Sequence, residues 1–133
     1  SFRIAMPRYH ILRYLMNYGS IGKLRSVEFV YYSTLAKDEE SREWRYNPII
    51  AGAGKSFDLG SHGFDILDYL VGPICEIAGY SINSGNTYDA EDVTLTCFRF
   101  ENNVLGTATF HYNSGRNDDY LTFTGTLGKI FLT

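Results

Sequence analysis

Four side chains that can take part in proton transfer or hydrogen bonding recur at helical spacing in the middle of this chain. Asp58, His62, Asp65 and Tyr69 follow one another at intervals of four, three and four residues. At 100° per residue, this spacing brings them within roughly 60° of one another on a helix surface. A separate apolar face, suited to packing against a sheet, is formed by Leu59, Ile66, Leu67 and Leu70. A polar stripe beside an apolar face predicts that Asp58, His62 and Asp65 line an open, solvated cleft.

The Asp-x3-His-x2-Asp spacing suits acid–base catalysis. Carboxylates next to an imidazole fix its orientation and stabilise its protonated form. Two other interpretations fit the same residues. Asp58 or Ser61 could cap the amino end of the helix, which would leave His62 as a surface residue. Asp58, His62 and Asp65 could also bind a metal. The spacing by itself leaves all three interpretations open.

The helices and the strand around this stripe are predicted from the spacing of apolar residues and from the positions of glycines. Apolar residues recur at helical spacing over Pro7–Tyr18, and Gly19 ends that helix. Leu24–Leu35 is rich in Val, Phe and Tyr and predicts a strand. A glycine-rich stretch at 51–54 precedes a second helix, expected to run for about three turns. Gly72-Pro73 is a strong signal for its end.

After Pro73 the pattern changes to short strands separated by turns. The predicted strands are 74–82, 93–100, 104–112, 120–124 and 129–132. Alternation of Val93, Leu95 and Cys97 with threonines indicates a half-buried strand. Two helices combined with a strand meander predict an α+β fold, an open and mostly antiparallel β-sheet with helices on one face. The 11 Tyr, 9 Phe and 1 Trp also favour a broad sheet with at least one covered face.

Composition narrows the class of protein. A chain of 133 residues fits one domain and can bury a core. The net charge of -3 argues against nucleic-acid binding, and no apolar stretch is long enough to span a bilayer. Cys75 and Cys97 have neither a second pair nor a Cys-His spacing typical of zinc, so we expect two reduced core thiols in a reducing compartment. The expected location is cytoplasmic, with no metal site and no membrane partner.

An ordered series of motifs gives the sequence a specific resemblance. The series consists of Trp44-Arg45, Asn47-Pro48, Ala51-Gly52-Ala53-Gly54, Asp58-x-Gly60-x-His62-x2-Asp65 and Gly72, flanked by Gly19-x2-Gly22 and Thr124-Gly125-x2-Gly128. It resembles the C-terminal domain of the glucose–fructose oxidoreductase/inositol dehydrogenase/rhizopine-catabolism (Gfo/Idh/MocA) family over the whole chain. One departure is Ala53, which interrupts the family's usual run of three glycines.

The resemblance implies a division of labour between two domains. In that family a Rossmann domain that binds NAD or NADP precedes an α+β domain with an open sheet. Residues 1–133 would then be the substrate-binding and oligomerisation domain alone, truncated from a cofactor domain that also carries the family's catalytic lysine. No cofactor-binding residue is predicted in this chain, since Gly52-Ala53-Gly54 starts like a dinucleotide fingerprint but Phe57 stands at its third glycine.

The resemblance also implies roles for individual residues. His62 matches the family's acid–base histidine and Asp58 its partner carboxylate, whereas Asp65 matches an orienting aspartate and is expected at the substrate. Arg45 and Asn113 are expected to bind substrate as well.

The implied activity belongs to the full-length protein. It is hydride transfer between NAD(P) and a hydroxyl of a sugar, sugar derivative or cyclitol, and the fragment alone is expected to be inactive. The alternative is a non-catalytic binding or oligomerisation module of the same fold. Expected partners are the small-molecule substrate, the chain's own Rossmann domain, and further copies docked on the sheet face without helices.

Overall fold

In the part of the chain that the structure describes, one six-stranded sheet packs against two long helices. The computed structural model describes residues 2–34, 49, 55–86 and 89–133, without the side chains of residues 2–3 and 55–59. After a 3-10 turn at Phe2–Ala5, the elements are α1 Pro7–Asn17, β1 Leu24–Thr34, α2 Lys55–Val71, β2 Ile74–Ile82, β3 Val93–Phe100, β4 Leu105–Ser114, β5 Asp118–Gly125 and β6 Lys129–Leu132. The strand order is β2-β3-β4-β1-β5-β6. Only the β1–β4 pairing is parallel among the strand pairs described, so the predicted α+β class with a mostly antiparallel sheet is confirmed.

Glycines end the helices where the sequence predicts. Gly19 follows α1 with φ 73° and Gly72 follows α2 with φ 125°, a backbone region that glycine enters without a Cβ clash. The predicted length of α2 is wrong, however, because the helix spans 17 residues and therefore well over four turns. Phe57 and the stripe around Asp58 extend it, since nothing between Lys55 and Gly60 interrupts helical periodicity.

The core lies between the sheet and the two helices. It is mostly aromatic: Phe29 and Phe110 meet edge to face with ring centroids 5.3 Å apart, and Phe64 meets Phe98 in the same way at 5.5 Å. The most completely buried hydrophobic side chains are Leu67, Phe100, Ala108, Tyr112 and Phe123. The predicted packing of the apolar face of α2 is confirmed for Ile66, Leu67 and Leu70, all of them buried.

Two glycines let α2 approach the sheet closely. A Cβ at Gly63 would lie 2.0 Å from the Phe29 ring, and one at Gly60 would lie 3.2 Å from the Phe110 ring. Phe110 pairs with a residue further along the parallel strands than Phe29 does. The residues of α2 therefore run down the sheet in the direction opposite to β1 and β4. The amino end of α2 consequently lies towards the end of the sheet at which β1 and β4 finish.

The other face of the sheet carries no helix among the described elements, and we call it the open face. Four rows of side chains cross this face. In one row, the strand register places side by side Ala78, Cys97, Thr107, Glu28, Thr122 and Phe131. Several apolar side chains on this face are solvent-exposed: Tyr80, Ile82, Leu95, Leu105 and Phe131. A concavity of about 850 Å³ lies at the sheet, with Glu28, Cys97 and Thr107 among its lining residues.

The open face corrects two expectations. Leu95 and Cys97 lie on it and are exposed, whereas Thr94 and Thr96 share the helix side with buried Phe98. Cys75 is exposed as well, on edge strand β2, so the prediction of two core thiols is wrong although both cysteines are free. The alternation of residue types along β3 predicted that its two faces differ. Because both faces carry apolar as well as polar residues, the pattern did not identify the face that the helices cover. Within the described residues, neither helix is long and apolar enough to cross a membrane.

Candidate functional site

The polar stripe of α2 lies on a flank of the helix, beside the face that packs on the sheet. His62 and Asp65 are partly exposed there, whereas Ser61 and Asp68 point further out and are exposed. Asp58 lies on the same side by its helical position, and its side chain is outside the described residues. His62 is thus not buried among aliphatic side chains, which is what the acid–base interpretation requires.

The interpretation of Asp58 or Ser61 as a helix N-cap is wrong. Helix α2 includes Lys55, so both residues stand in its interior with helical backbone conformation. An N-cap residue has a non-helical backbone and stands at the boundary. The expected length of about three turns before Gly72 places the start of this helix later, and in sequence a capping aspartate looks the same as an interior one.

The carboxyl end of the stripe is occupied by contacts with α1. The Tyr69 hydroxyl and His10 Nδ1 share a hydrogen bond of 3.0 Å, and the Arg13 guanidinium lies 4.5 Å from the centroid of the Tyr69 ring. Tyr69 therefore ties the two helices together. The part of the stripe left for chemistry is the stretch from Asp58 to Asp65, near the start of α2.

Asn113 lies near the carboxyl end of β4, at an irregularity of the sheet. Tyr32 of β1 pairs with His111 of β4, and Thr34 pairs with Ser114, so β4 has one extra residue in this interval. This bulge changes the direction of the side chains after Tyr112, a role that bulges commonly have near binding sites. The start of α2 lies towards the same end of the sheet, so Asn113 and the stretch of the stripe from Asp58 to Asp65 lie towards one end of the sheet.

A buried carboxylate holds this end of the sheet together. Asp92 is 1% exposed and accepts hydrogen bonds from the Ser84 backbone N–H at 2.8 Å, the Ser84 hydroxyl at 3.1 Å and the Gly85 N–H at 2.7 Å. The side chain of Asn113 lies close by, since both it and the Asp92 carboxylate are near Gly85. Burial raises the pKa of Asp92, but the hydrogen bonds from Ser84 and Gly85 and the nearby Asn113 side chain together outweigh burial and leave the pKa below its ordinary value.

The sequence did not reveal Asp92. It stands one residue before β3, after a polar loop, and no periodicity distinguishes it from its acidic neighbours Asp89 and Glu91. The one available signal is Gly85, which lies so close to Asp92 and Asn113 that a Cβ would clash with both. A single glycine in a polar loop, however, is too common to indicate a buried carboxylate.

Two predicted features cannot be placed. Arg45, with Trp44, and the glycine-rich stretch at 51–54 lie outside the described residues. For the described part of the chain, no group of three His, Cys, Asp or Glu side chains is arranged to hold a metal ion.

Comparison with known proteins gives consistent similarities. The family model that describes the GFO/IDH/MocA C-terminal domain matches residues 9–131 of this chain. Levoglucosan dehydrogenase of Pseudarthrobacter phenanthrenivorans is 27% identical over 84% of this chain and 35% of its own length.

Two solved structures are similar over nearly the whole chain. An oxidoreductase from Thermotoga maritima superposes with a TM-score of 0.84 at 22% identity, covering 96% of this chain and 39% of that one. A levoglucosan dehydrogenase in complex with NADH and levoglucosan superposes with a TM-score of 0.79 at 25% identity, covering 92% and 36%. The chain therefore spans between a third and two fifths of the length of these relatives. With a fold, a helix motif and a family model that all agree, this chain belongs to the Gfo/Idh/MocA oxidoreductase family, of which it represents the C-terminal domain.

Proposed function

We propose that the full-length protein oxidises or reduces a hydroxyl-bearing carbon of a sugar, a sugar derivative or a cyclitol, with NAD or NADP as hydride carrier. The observation that supports this most is the partly exposed His62 next to Asp65 on α2, at the end of the sheet that also holds Asn113. The relative that contains NADH and levoglucosan shares this domain fold.

His62 is the proton carrier in this proposal. When the alcohol is oxidised, neutral His62 accepts the hydroxyl proton, and in the reverse direction its imidazolium returns that proton. Asp58, one helical turn earlier, holds the ring and stabilises the imidazolium, whereas Asp65, Arg45 and Asn113 orient the substrate. A bound nicotinamide supplies or accepts the hydride.

The chain itself fits only the substrate side of such a reaction. A dinucleotide is held by a glycine-rich turn that leads from a strand into a helix. Among the described elements, strands β2 to β5 are each followed by another strand. Strand β1 ends at Thr34, twenty residues before α2 begins, and Phe57 stands where a dinucleotide fingerprint has its third glycine. We therefore assign the cofactor to the chain's own Rossmann domain, and the groups on α2 to the reacting carbon.

The first experiment measures steady-state kinetics of His62→Ala in the full-length protein, with levoglucosan and then a panel of sugars and inositols as substrates. Loss of a general base costs about 10²–10⁴-fold in turnover. We expect a loss of that size in kcat with a much smaller change in KM. Asp68→Asn is the matched control, because Asp68 is an exposed carboxylate on the same helix. Turnover of His62→Ala within a few-fold of the parent would assign the proton transfer to another residue.

The same assay tests the alternative of a non-catalytic module. Such a protein would show no turnover of any probe with either nicotinamide cofactor, in the parent as well as in the variants. Binding of NAD(H) or NADP(H) by the full-length protein would then distinguish an enzyme with an untested substrate from a domain that keeps only the fold.

We further propose that the open face joins copies of this chain. Six strands about 4.8 Å apart make it roughly 24 Å wide, which suits the ~800 Å² per partner of a standard interface. Tyr80 is 85% exposed and Leu95, Leu105 and Phe131 are each more than half exposed, which is costly for a surface that stays in water.

The oligomer is tested by light scattering of the parent and of Leu95→Glu. We expect Leu95→Glu to shift the protein towards the monomer, since a charge would be buried without a partner. Ile11→Glu is the control, because Ile11 is 59% exposed but stands on α1. A parent that is monomeric at high concentration, or equal behaviour of the two variants, would contradict the proposal.

A further inference from the structure

The flank of α2 that carries His62 faces the β5 side of the sheet. His62 and Phe64 are two residues apart and therefore point about 200° apart around the helix. Phe64 packs on Phe98 of β3, with ring centroids 5.5 Å apart. On the opposite flank the polar stripe meets α1, and the segment after α1 bonds to the β5–β6 turn, where the Leu127 N–H donates to the Ile21 carbonyl. His62 is thus directed away from β3 and towards β5.

The turn of α2 that carries His62 lies above one row of the sheet. Gly60 stands against the ring of Phe110 in β4. Phe110 pairs with Tyr31 in β1, and Tyr31 pairs with Asp119 in β5. Side chains of directly paired residues share a face of the sheet, so all three point to the helix side. Tyr31 and Asp119 therefore lie beneath this turn, on the side towards which His62 is directed.

Tyr31 and Asp119 also line a cavity of about 260 Å³. Tyr31 is partly exposed and Asp119 is exposed. Among the residues that the structure describes, none forms a hydrogen bond or an ion pair with the Tyr31 hydroxyl or the Asp119 carboxylate. Two other lining residues are already engaged, since Asn117 Oδ1 accepts a bond from the β1 backbone at 3.1 Å and Asp118 pairs with Arg116 at 2.6 Å. Tyr31 and Asp119 are thus the lining groups that can bind a ligand on the helix side.

From this geometry we infer that Tyr31 and Asp119 form the floor of the substrate cleft and bind a second hydroxyl of the substrate, next to the one on which His62 acts. An ionised carboxylate only accepts hydrogen bonds, whereas a phenol can also donate. A ligand hydroxyl can donate to Asp119 and accept from Tyr31, whereas a ligand carboxylate or phosphate would be repelled by Asp119. The substrate class is therefore an uncharged polyol. The inference rests on the proposed function, because it takes His62 as the group at the reacting carbon.

The test is calorimetric binding of levoglucosan, D-glucose and myo-inositol to the full-length protein with NADH, which cannot reduce an alcohol further. The variants are Tyr31→Phe and Asp119→Ala. Each should weaken binding of at least one probe about tenfold, as expected for loss of one hydrogen bond. In turnover assays KM should rise by a similar factor, with a much smaller change in kcat. Tyr31→Phe keeps the ring that packs on Tyr112 at 5.9 Å, so we expect it to fold as the parent does.

The alternation of the two strands supplies matched controls at the adjacent positions. Tyr32 and Asp118 pair with each other across β1 and β5 and point to the open face. They carry the same functional groups and line the same cavity from its other side. Tyr32→Phe and Asp118→Ala should therefore leave the affinity for every probe at the level of the parent.

Four results would overturn the inference: unchanged affinity in both Tyr31→Phe and Asp119→Ala, equal losses in the two control variants, a fall in kcat without a loss of affinity, or no binding of any probe by the parent. Failure of the proposed function is distinguishable from these results. If His62→Ala keeps its turnover while the floor variants lose affinity, the acid–base role is wrong and the floor stands. If His62→Ala loses turnover while the floor variants bind normally, the reverse holds.

Discussion

Comparing Gly60→Ala with Gly63→Ala tests whether the stability of this domain depends on the close packing of α2 against the sheet. Both residues are buried in the same helix with ordinary helical backbone, so replacing either by alanine improves helix propensity by about 1 kcal/mol. The two sites differ in the space for a methyl group. At Gly60 the new Cβ would lie 3.2 Å from the Phe110 ring, whereas at Gly63 it would lie 2.0 Å from the Phe29 ring.

At Gly63 the ring or the helix has to move by about 1.4 Å to reach the 3.4 Å at which ordinary contact begins. Phe29 has little room to retreat, because its ring packs edge to face on Phe110. Overpacking of a well-filled core costs about 1–3 kcal/mol. Gly63→Ala should therefore be less stable than Gly60→Ala by about that amount, with Gly60→Ala close to the parent or slightly above it.

Urea unfolding of the parent and the two variants measures this difference as a change in midpoint at constant slope. Equal midpoints would show that α2 does not depend on contact at Gly63, and a more stable Gly63→Ala would refute the packing described here. Gly63 follows His62 directly, so a displaced helix should also reduce turnover in the full-length protein, while Gly60→Ala should reduce it less.

Two further predictions concern pH and cofactor. Because hydrogen bonds hold the pKa of Asp92 below 3.8, its contribution to folding is present above about pH 4 and is lost as the pH falls through the lowered value. Urea unfolding at neutral pH and near pH 3 should show this loss in the parent and a smaller one in Asp92→Asn; parallel curves would contradict it. The isolated chain should bind neither NADH nor NADPH, and micromolar binding by calorimetry would refute the assignment of the cofactor to the Rossmann domain.

Short sequence patterns predicted the helices and strands well, but they predicted less well which of their faces are buried. The helix ends at Gly19 and Gly72 depend on a positive-φ backbone that glycine dominates, so they can be predicted from sequence. The predicted turn at Gly125–Gly128 is present too, and the Gly125 N–H donates to the Gly128 carbonyl within it. Alternation along β3 also predicted a strand correctly. It could not say which face α2 would cover, because that depends on the pairing of β3 with β2 and β4.

The candidate site shows the same division. The helical stripe of His62 and Asp65 follows from 3.6-residue periodicity, a local property. Two contacts do not follow from it: the hydrogen bond of Tyr69 with His10, 59 positions apart, and the closeness of Asn113 and Asp92 beside Gly85, 21 positions apart. Only the fold brings such pairs together. Asp58 and Arg45 keep the roles proposed from the motif.

The place of β1 has a consequence for how this chain folds. The first strand described in this domain is also an inner one, and it pairs with two strands that come much later: Ser26 lies beside Leu105, and Glu28 beside Thr122. Contacts between such distant residues carry a loop-closure cost and slow folding. The hairpins β2–β3–β4 and β5–β6 can form locally, but each leaves an unpaired edge until β1 enters between them. During synthesis Val27 and Phe29 therefore stay exposed until β4 and β5 have been made. We expect the protein to be most prone to aggregation, and most dependent on chaperones, during this interval.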